Sequence, residues 1–454
     1  MTLLAERAGL VFLIALQTSC AGDPFTDGCE RVGDVCAGVP NQPVCEEDFC
    51  TQGVACAGVL HADSDASFAA AVAGASPGAC IALAPGDYDG VTLPESVSLL
   101  GRGAAYVTVG SVETNGEGVT VRGITIAGGS LVVRSGSTTA EMIRVVSLGD
   151  GVWAGPRSTV TFRNSEVRGY VRTGVRAFDV AALNIENSLI EESILGPGMW
   201  IECSEGCACT TRPSVSMTNV RIARAKSVGM SIVGTNATLA NVEVRDTAMS
   251  QNSGGGIAVS KCSTLTATDL RTVDNDDFGL LIHDSSMTVD ALTANGNLRG
   301  VAILAIGHSM PGNVTIRSAE ISGNRGMGID LAKTSLNVTI EDSHISDTSP
   351  IELPRFMNDV QVGTFELADG ILWRDGSHLA LRAVSVSRSQ RQNILIHDGV
   401  APGSLIDHVE LSGIDETEGI IQQNFVEGVD LTPTLIASPP ITTTPDEVWN
   451  IPND

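Results

Sequence analysis

Short runs of alternating apolar and polar residues recur along most of the chain. Residues 160–169 read VTFRNSEVRG and residues 338–347 read VTIEDSHISD, each with apolar positions on strand periodicity followed by a polar pair. In the first run this pair begins at Asn164, a residue type that tolerates the left-handed backbone conformation of a tight bend. Each run therefore predicts a strand, a bend and a second short strand.

The bend residue serves as a marker of a longer repeat. Thirteen positions fit it, and most neighbours lie 20 to 28 residues apart. The predicted markers are Gly101, Gly123, Arg144, Asn164, Asn187, Asn219, Asn241, Asp269, Ala291, Ser318, Asp342, Ala383 and His408. The wide interval after Asn187 leaves room for an insertion, and the one after Asp342 for a long loop or one more degenerate repeat.

A second motif, glycine followed by apolar, variable and apolar residues, comes after most of these bends. It reads GVWA (151–154), GVRA (174–177), GMWI (198–201), GMSI (229–232), GIAV (256–259), GLLI (279–282), GVAI (300–303), GIDL (328–331) and GILW (370–373). A period near 22 residues with glycine or asparagine corners predicts a β-solenoid, and the leucine framework of a leucine-rich repeat is missing.

The stretch SFAAAVAGASPGACIALAPGDYDGVTLPESVSLLGRG (67–103) resembles the start of a right-handed parallel β-helix of the pectin-lyase-like superfamily. In that superfamily a short helix caps the first coil and a Pro-Gly turn leads into the first strand. The resemblance implies an all-β fold, a single right-handed parallel β-helix over residues 57–431, with about 13 coils of roughly 22 residues.

The amino terminus, MTLLAERAGLVFLIALQTSC, predicts export. An apolar run too short to span a bilayer precedes small residues, so residues 1–19 are predicted to be a signal peptide. Cys20 resembles the lipidated cysteine of a bacterial lipobox, although Gln17 replaces the usual apolar residue. We expect an exported protein, either a lipoprotein at the outer membrane or cell surface or a secreted one, touching membrane only through a lipid anchor.

The cysteine count agrees with export. Of eleven cysteines, removal of Cys20 leaves an even number suited to disulfides. The disulfide candidates are Cys29, Cys36, Cys45, Cys50, Cys56, Cys80, Cys203, Cys207, Cys209 and Cys262. Residues 20–56 are predicted to be a Cys-rich leader that a Cys56–Cys80 bridge fastens to the first coil. A zinc site at the last four cysteines is the alternative to disulfides there. Residues 432–454 form a Pro/Thr-rich tail without the repeat.

The formal net charge of −26 limits the classes of partner that the protein is expected to bind. With 53 acidic against 27 basic residues and no basic cluster, the chain should repel nucleic acid and anionic membrane surfaces. Polyanionic substrates are also disfavoured unless Ca²⁺ bridges the two charges, so Ca²⁺ is a possible cofactor. We expect a monomer whose partner is a polysaccharide or a cell-surface protein.

The residue between the two apolar positions of the glycine motif is predicted to point outward. In chain order this outward column reads Trp153, Arg176, Trp200, Ser231, Ala258, Leu281, Ala302, Asp330, Leu372, Leu395 and Ile421. Coils stack about 4.8 Å apart, so Trp153 and Trp200 should lie roughly 10 Å apart with Arg176 between them. Such a platform suits sugar rings, although the insertion after Trp200 could instead bury both indoles. The later, apolar part of the column needs a loop or another protein to cover it.

The segment VDNDDFG (273–279) is the strongest candidate for catalysis. Asp276 and Asp277 resemble the adjacent aspartates of polygalacturonase-like members of the superfamily, but the rest of that signature is missing. A lyase would need Ca²⁺-binding carboxylates and a basic residue. The predicted catalytic candidates are Asp276, Asp277, Asp330, Arg325 and Lys333. Acidic corners are also ordinary turns of a solenoid.

Three hypotheses follow from the sequence. The first is an exported protein that binds polysaccharide or another surface partner along one flank without catalysis. The second is a carbohydrate-active enzyme, a polysaccharide lyase or a glycoside hydrolase, acting near Asp276. The third is a structural spacer at the cell surface.

Overall fold

The fold is a right-handed parallel β-solenoid of about 14 turns with very little helix, as predicted. The computed structural model describes residues 54–250, 253–304, 312–332, 335–357, 360–397, 399–413, 419–423, 434–437 and 442–444. The predicted signal peptide, Cys20, the leader cysteines before Cys56, and Lys333 lie outside the described residues. Across those ranges, no helix is long and apolar enough to cross a membrane.

The chain divides into two compact units, the first comprising residues 1–194 with 218–221, and the second the remainder. The strands of the first unit are β1 (Gly58–Ala62), β2 (Ala79–Leu83), β3 (Gly86–Tyr88), β4 (Val91–Leu93), β5 (Ser98–Gly101), β6 (Val107–Val109), β7 (Val112–Arg122), β8 (Thr125–Gly128), β9 (Leu131–Glu141), β10 (Arg144–Ser147), β11 (Val152–Ala154), β12 (Thr159–Arg163), β13 (Glu166–Arg168), β14 (Val175–Phe178) and β15 (Ala182–Glu191).

The predicted capping helix is α1 (Asp65–Gly74). Ser64 caps its amino terminus, and the Ser64 and Ser67 side chains each bond the other residue's backbone N–H, which satisfies donors that the first turn leaves open. Phe68 is buried and its ring meets that of Tyr88 edge to face at 5.5 Å. The helix therefore closes the apolar end of the first coils.

The second unit continues the same architecture. Its strands are β16 (Met199–Glu202), β17 (Ser214–Ala223, shared with the first unit), β18 (Val228–Val233), β19 (Asn236–Arg245), β20 (Gly255–Ser260), β21 (Thr264–Val273), β22 (Phe278–His283), β23 (Ser286–Asn295), β24 (Arg299–Leu304), β25 (Asn313–Arg317), β26 (Glu320–Ser322), β27 (Met327–Ala332), β28 (Asn337–Glu341), β29 (His344–Ser346), β30 (Ile351–Met357), β31 (Val360–Leu367), β32 (Asp369–Arg374), β33 (His378–Arg382), β34 (Ser385–Ser387), β35 (Gln392–His397), β36 (Leu405–Ser412), β37 (Ile420–Gln423), β38 (Thr434–Ala437) and β39 (Thr442–Thr444).

Apart from β30 and β31, the strands pair in parallel with their equivalents in neighbouring coils, so like residues stack. In the first unit Val160 lies opposite Leu183 and Phe162 opposite Ile185, all fully or almost fully buried. In the second, Ile257 lies opposite Leu280. The core is thus a set of aliphatic rows, which explains why 4% aromatic content suffices.

Most predicted bends are confirmed by their backbone angles. Eleven of the thirteen markers have positive φ, from Gly123 at 67° to Asn187 at 47°. The other two predictions were wrong. At Arg144 the bend lies two residues earlier, at Met142 (φ 51°), and Gly101 lies inside β5. A Cβ on Gly101 would come within 2.3 Å of the Gly123 carbonyl oxygen, so close backbone approach, rather than a bend, explains that glycine.

The wide interval after Asp342 holds a hairpin instead of another coil. The strands β30 and β31 pair with each other in antiparallel fashion, while β27 pairs directly with β32 and β28 with β33. Further on, β38 and β39 pair in parallel with β36 and β37. Parallel pairing therefore continues past residue 431, where we had expected the solenoid to end.

Three disulfides occur among the described residues. Cys56–Cys80 confirms the predicted bridge and ties residue 56 to β2. Cys203–Cys209 lies within the insertion after β16, and Cys207–Cys262 joins this insertion to the turn between β20 and β21. All four cysteines of the alternative zinc set are therefore bonded to one another in pairs.

Candidate functional site

One candidate site in the first unit is an aromatic and basic pair on the outer face of β11 and β14. Trp153 and Arg176 lie directly opposite each other in the parallel register. Trp153 is half-buried and Arg176 is exposed. Within the described residues 54–250, no side chain or backbone group forms a hydrogen bond or ion pair with the Arg176 guanidinium. Its N–H donors are therefore available to a ligand.

A glycine allows the Trp153 ring to lie close to the sheet. A Cβ on Gly155 would come within 2.6 Å of Cη2 of Trp153 and within 2.8 Å of the Arg134 carbonyl oxygen. Any larger residue at this position would push the indole away. The glycine in the local sequence WAG therefore leaves space for the half-buried ring of Trp153.

Trp200, the third predicted ligand-binding residue, belongs to the second unit and lies opposite Ser231. It is 37% exposed, so the disulfide-bonded insertion does not bury it. Its Nε1 donates a hydrogen bond to Oε2 of Glu202 at 2.9 Å, which fixes the ring orientation. The separation of Trp153 from Trp200 stays a prediction.

Further along the second unit, the outward column is not exposed. Ala302 and Asp330 are fully buried, as is Leu395, and Leu372 is almost so. Leu367 and Ile351, from the hairpin of β30 and β31, pack with Met327 on the two leucines of this column. Cover by a loop, one of the two expected alternatives, is confirmed for Leu372 and Leu395. Asp330, predicted to point outward from the coil, is fully buried.

An asparagine ladder shapes the acidic corner. Asn275, Asn297 and Asn324 are fully buried at equivalent bends of three successive coils. Nδ2 of Asn275 donates to Oδ1 of Asn297 at 2.9 Å, and Nδ2 of Asn297 donates to Oδ1 of Asn324 at 3.3 Å. The residues that follow each asparagine are thereby stacked on one edge, which is why Asp276, Asp277 and Arg325 lie together.

Asp277 and Asp330 are engaged in ion pairs with arginines that the sequence analysis had not singled out. Arg299 reaches Asp277 with an N–O distance of 2.7 Å and Asp330 with one of 3.7 Å. Arg374 approaches the other side of Asp330, with Nε 3.3 Å from Oδ1. The two carboxylates are thus linked through Arg299 in one row of alternating charge.

Asp276 and Arg325 form the exposed part of the corner. Oδ2 of Asp276 accepts a hydrogen bond from the Met249 backbone N–H at 2.8 Å. Nη2 of Arg325 lies 3.4 Å from the carbonyl oxygens of Asn275 and Asp276. Four of the five predicted catalytic residues are therefore near one another in neighbouring coils, and Lys333 lies outside the described residues.

A second buried pair, Asp369 with Arg391, lies in the same part of the sheet. Burial raises the pKa of the Asp369 carboxyl, although the Arg391 charge acts against this, and the Asp330 charge raises the pKa further. Parallel register places Arg299, Met327, Asp369 and Gln392 opposite one another in turn. These four residues directly precede the glycine motif or its equivalent in their coils. Comparing that position from coil to coil in the sequence, as was done for the outward position within the motif, would have predicted this second row.

Among the described residues, no group of three or more His, Cys, Asp or Glu side chains is arranged to hold a metal ion. The carboxylates of the acidic corner are directed to arginines and a backbone amide, as given above. The possible use of Ca²⁺ therefore stays a prediction from the sequence.

Comparison with known proteins agrees with the fold. The family model described as "Right handed beta helix region" matches residues 109–298. No curated protein matches. The solved structures that are similar include a pectate lyase, Pel9A, with 15% identity and a TM-score of 0.39, covering 66% of this chain and 78% of that one.

Two further solved structures are similar at the same low level. The A-module of mannuronan C-5 epimerase AlgE6 from Azotobacter vinelandii is 14% identical, with a TM-score of 0.39, 87% of this chain and 98% of that one being covered. The catalytic unit of a GH87 α-1,3-glucanase from Streptomyces thermodiastaticus is 14% identical, with a TM-score of 0.34 and coverage of 86% and 67%. At these values the likeness concerns the fold, and function has to be argued from the residues of this chain.

Proposed function

We propose that this protein is an exported β-helix that binds polysaccharide along the outer flank of its first unit, without catalysis. The observation that carries the proposal is the pairing of Trp153 with Arg176. A half-buried indole on the outer face of the sheet suits the apolar face of a sugar ring. The adjacent guanidinium, with five N–H donors and no internal partner, suits its polar substituents.

The ion pairs of the acidic corner support a role without catalysis. A general acid or base must exchange a proton with substrate and therefore needs an accessible carboxyl. Asp330 is fully buried and held by arginines, and Asp277 is paired to Arg299. Moving either carboxylate to meet a substrate would leave an arginine without its partner, which is costly in a buried setting.

Glycan binding by matched variants tests the proposal. Trp153→Ala should weaken binding by about tenfold or more, since an aromatic platform contributes at least 1 to 2 kcal/mol. Tyr106→Ala, which removes another exposed aromatic side chain of the same unit (48% exposed), should leave binding unchanged. If both variants bind like the parent, the flank is not the site; if the parent binds no glycan, the role of a structural spacer is favoured.

A polysaccharide lyase or hydrolase is the second candidate function. It is favoured by one observation: the exposed carboxylate of Asp276 lies in the same corner as the exposed guanidinium of Arg325. Asp276→Asn keeps the shape of the side chain and removes its charge. Loss of glycan cleavage in this variant, with binding retained, would favour the enzyme over the binding protein.

Export and lipid anchoring are part of the proposal. Three disulfides support an oxidising compartment, because such bonds persist outside the reducing cytosol. The anchor depends on Cys20, and one acyl chain alone holds a protein only weakly, so dual acylation is expected. Cys20→Ser should move the protein from the membrane fraction to the soluble fraction of an expressing bacterium, and unchanged partition would refute the anchor.

A further inference from the structure

Positive charge exceeds negative charge in two parts of this acidic chain, residues 131–178 and residues 206–242, the second with four basic and no acidic residues. Residues 131–178 contain seven arginines and three acidic residues, a net charge of +4, whereas the whole chain carries −26. These 48 residues form the strands β9 to β14, which include the Trp153 flank. The first of these two parts therefore coincides with the proposed glycan site.

Five of the seven arginines are neutralised within the first unit. The pairs are Arg134 with Glu113, Arg144 with Glu166, Arg163 with Glu141, Arg168 with Glu166 and Glu191, and Arg172 with Asp150. Most of these partners are themselves partly or fully buried. These pairs hold successive coils together and have a structural explanation.

Arg157 and Arg176 have no such explanation. Both side chains are exposed, and neither makes a side-chain hydrogen bond or ion pair in the part of the chain from 54 to 250. Arg176 stands beside Trp153, and Arg157 follows Trp153 by four residues. The backbone N–H of Arg157 donates to the Asp179 carbonyl at 2.8 Å, which fixes the turn that carries its side chain.

We infer that the flank is built for a glycan carrying oxyanion groups, namely carboxylate, sulfate or phosphate, rather than for a neutral one. This inference rests on the proposed glycan binding and adds its chemical class. A guanidinium binds such a group through two parallel N–H···O bonds, and bonds of this kind are about twice as strong as those to neutral hydroxyls. Arg176 beside Trp153, with Arg157 on the turn that follows the same strand, would thus recognise charged groups of a bound sugar.

The local charge also resolves an apparent conflict with the net charge. Screening in salt limits the repulsion from distant carboxylates to about 10 Å, so the nearest charges decide which ligand can approach. Glu113 lies two coils before Trp153 in the same row of the sheet, and the Arg134 hydrogen bond holds the pKa of Glu113 below its usual value. Glu113 is thus a charged group that Arg134 already compensates.

The test measures the affinity of the full-length protein, in the presence of a chelator, for four immobilised probes. They are a uronic acid polymer, a sulfated glycan, a phosphate-bearing glycan and a neutral glucan. We expect at least one anionic probe to bind about tenfold or more tightly than the glucan, with affinity falling as salt is raised. The probe that binds identifies which oxyanion is recognised. Equal affinity for the glucan would overturn the inference.

Two double variants complete the design. Arg157→Gln with Arg176→Gln should reduce binding of the anionic probe by about tenfold or more. Arg271→Gln with Arg382→Gln removes two exposed arginines of the second unit, each paired to a carboxylate, and should leave binding unchanged. An equal loss in both variants would mean a general charge effect and would contradict the inference.

The outcomes separate this inference from the proposed function. Suppose that the parent protein binds glycans, that Trp153→Ala weakens this binding and that the Arg157/Arg176 double variant does not. The glycan site is then supported and the inferred oxyanion class is wrong. If no probe binds the parent protein, the glycan site itself is wrong. Glu113→Gln gives an independent check, because releasing Arg134 should strengthen binding of the anionic probe.

Discussion

A residue in the left-handed region is strained unless its side chain suits that backbone, and this solenoid places one at nearly every coil. Asn164 has φ of 50°, and its Oδ1 accepts a hydrogen bond from Nδ2 of Asn187 at 3.2 Å. Asn187 in turn accepts one from Asn219 at 2.9 Å. The amide thus both tolerates the bend and joins it to the next coil.

The first prediction concerns this bend. Asn164→Val should lower the free energy of unfolding by about 1 kcal/mol, since a β-branched side chain is disfavoured at positive φ. Asn164→Gly removes the same amide but suits the backbone, so its loss should be smaller. Chemical denaturation measures both, and equal losses would mean that the hydrogen bond, not the backbone, matters.

The second prediction concerns pH. The Arg388 hydrogen bond holds the pKa of the Asp347 carboxyl below its ordinary value. A carboxyl with a lowered folded-state pKa stabilises the fold above its unfolded pKa, and this contribution is lost as pH falls through the folded value. Asp347→Asn should therefore lower the melting temperature slightly at neutral pH, since both partners are about half exposed, and the two melting curves should converge in acid. A difference that grows in acid would contradict this sign.

Residue type predicted most bends but not all of them. Asn, Asp and Gly favour positive φ and so mark it in the sequence, whereas Met142 adopts it because the strands on either side are already paired. The same limit applies to Asp330. Strand periodicity places its side chain outside the coil, yet the structure shows it fully buried and paired to Arg299 and Arg374.

At the scale of elements, the hairpin of β30 and β31 is the main departure from the repeat. It interrupts the sequence between two coils that pair directly with each other. From the sequence, the interval could hold either a loop or another coil, because a single degenerate repeat and a hairpin both read as alternating residues. The hairpin packs on Leu372 and Leu395, which explains why apolar side chains occupy these positions on the outer face of the coil.

The third prediction tests that packing. Leu367 is 2% exposed against the cluster on the outer face of the sheet, so Leu367→Ala should cost about 2 to 3 kcal/mol through lost burial and a cavity. Leu195→Ala makes the same chemical change at a side chain that is 65% exposed and should cost less than about 0.5 kcal/mol. Equal, small effects in denaturant titration would mean that the hairpin does not cover the column.

At the scale of the whole molecule, the repeat determined what the sequence could predict. The fold follows from residues that recur once per coil, because parallel stacking converts sequence period into contact. The sequence also predicted the Cys56–Cys80 bridge, but it left open whether Asp276 and Arg325 lie close together. The Arg299 and Arg374 pairs could not be predicted in this way. Their partners depend on the direction of long side chains in rows that periodicity alone does not relate.

The uneven distribution of charge separates the candidate sites in chemical terms. The flank around Trp153 carries unpaired arginines, while the corner around Asp277 contains carboxylates neutralised by arginines. The first arrangement is suited to holding a ligand, and the second mainly to joining coils. These two arrangements together are the basis for the proposal of binding without bond cleavage.

The most direct measurement is to incubate the purified, disulfide-intact protein with the polysaccharides it retains and to assay both binding and newly formed chain ends, with and without Ca²⁺. We expect retention that depends on Trp153, with no new reducing or unsaturated ends under either condition. New ends that appear with the parent protein and disappear with Asp276→Asn would contradict the binding role and establish an enzyme.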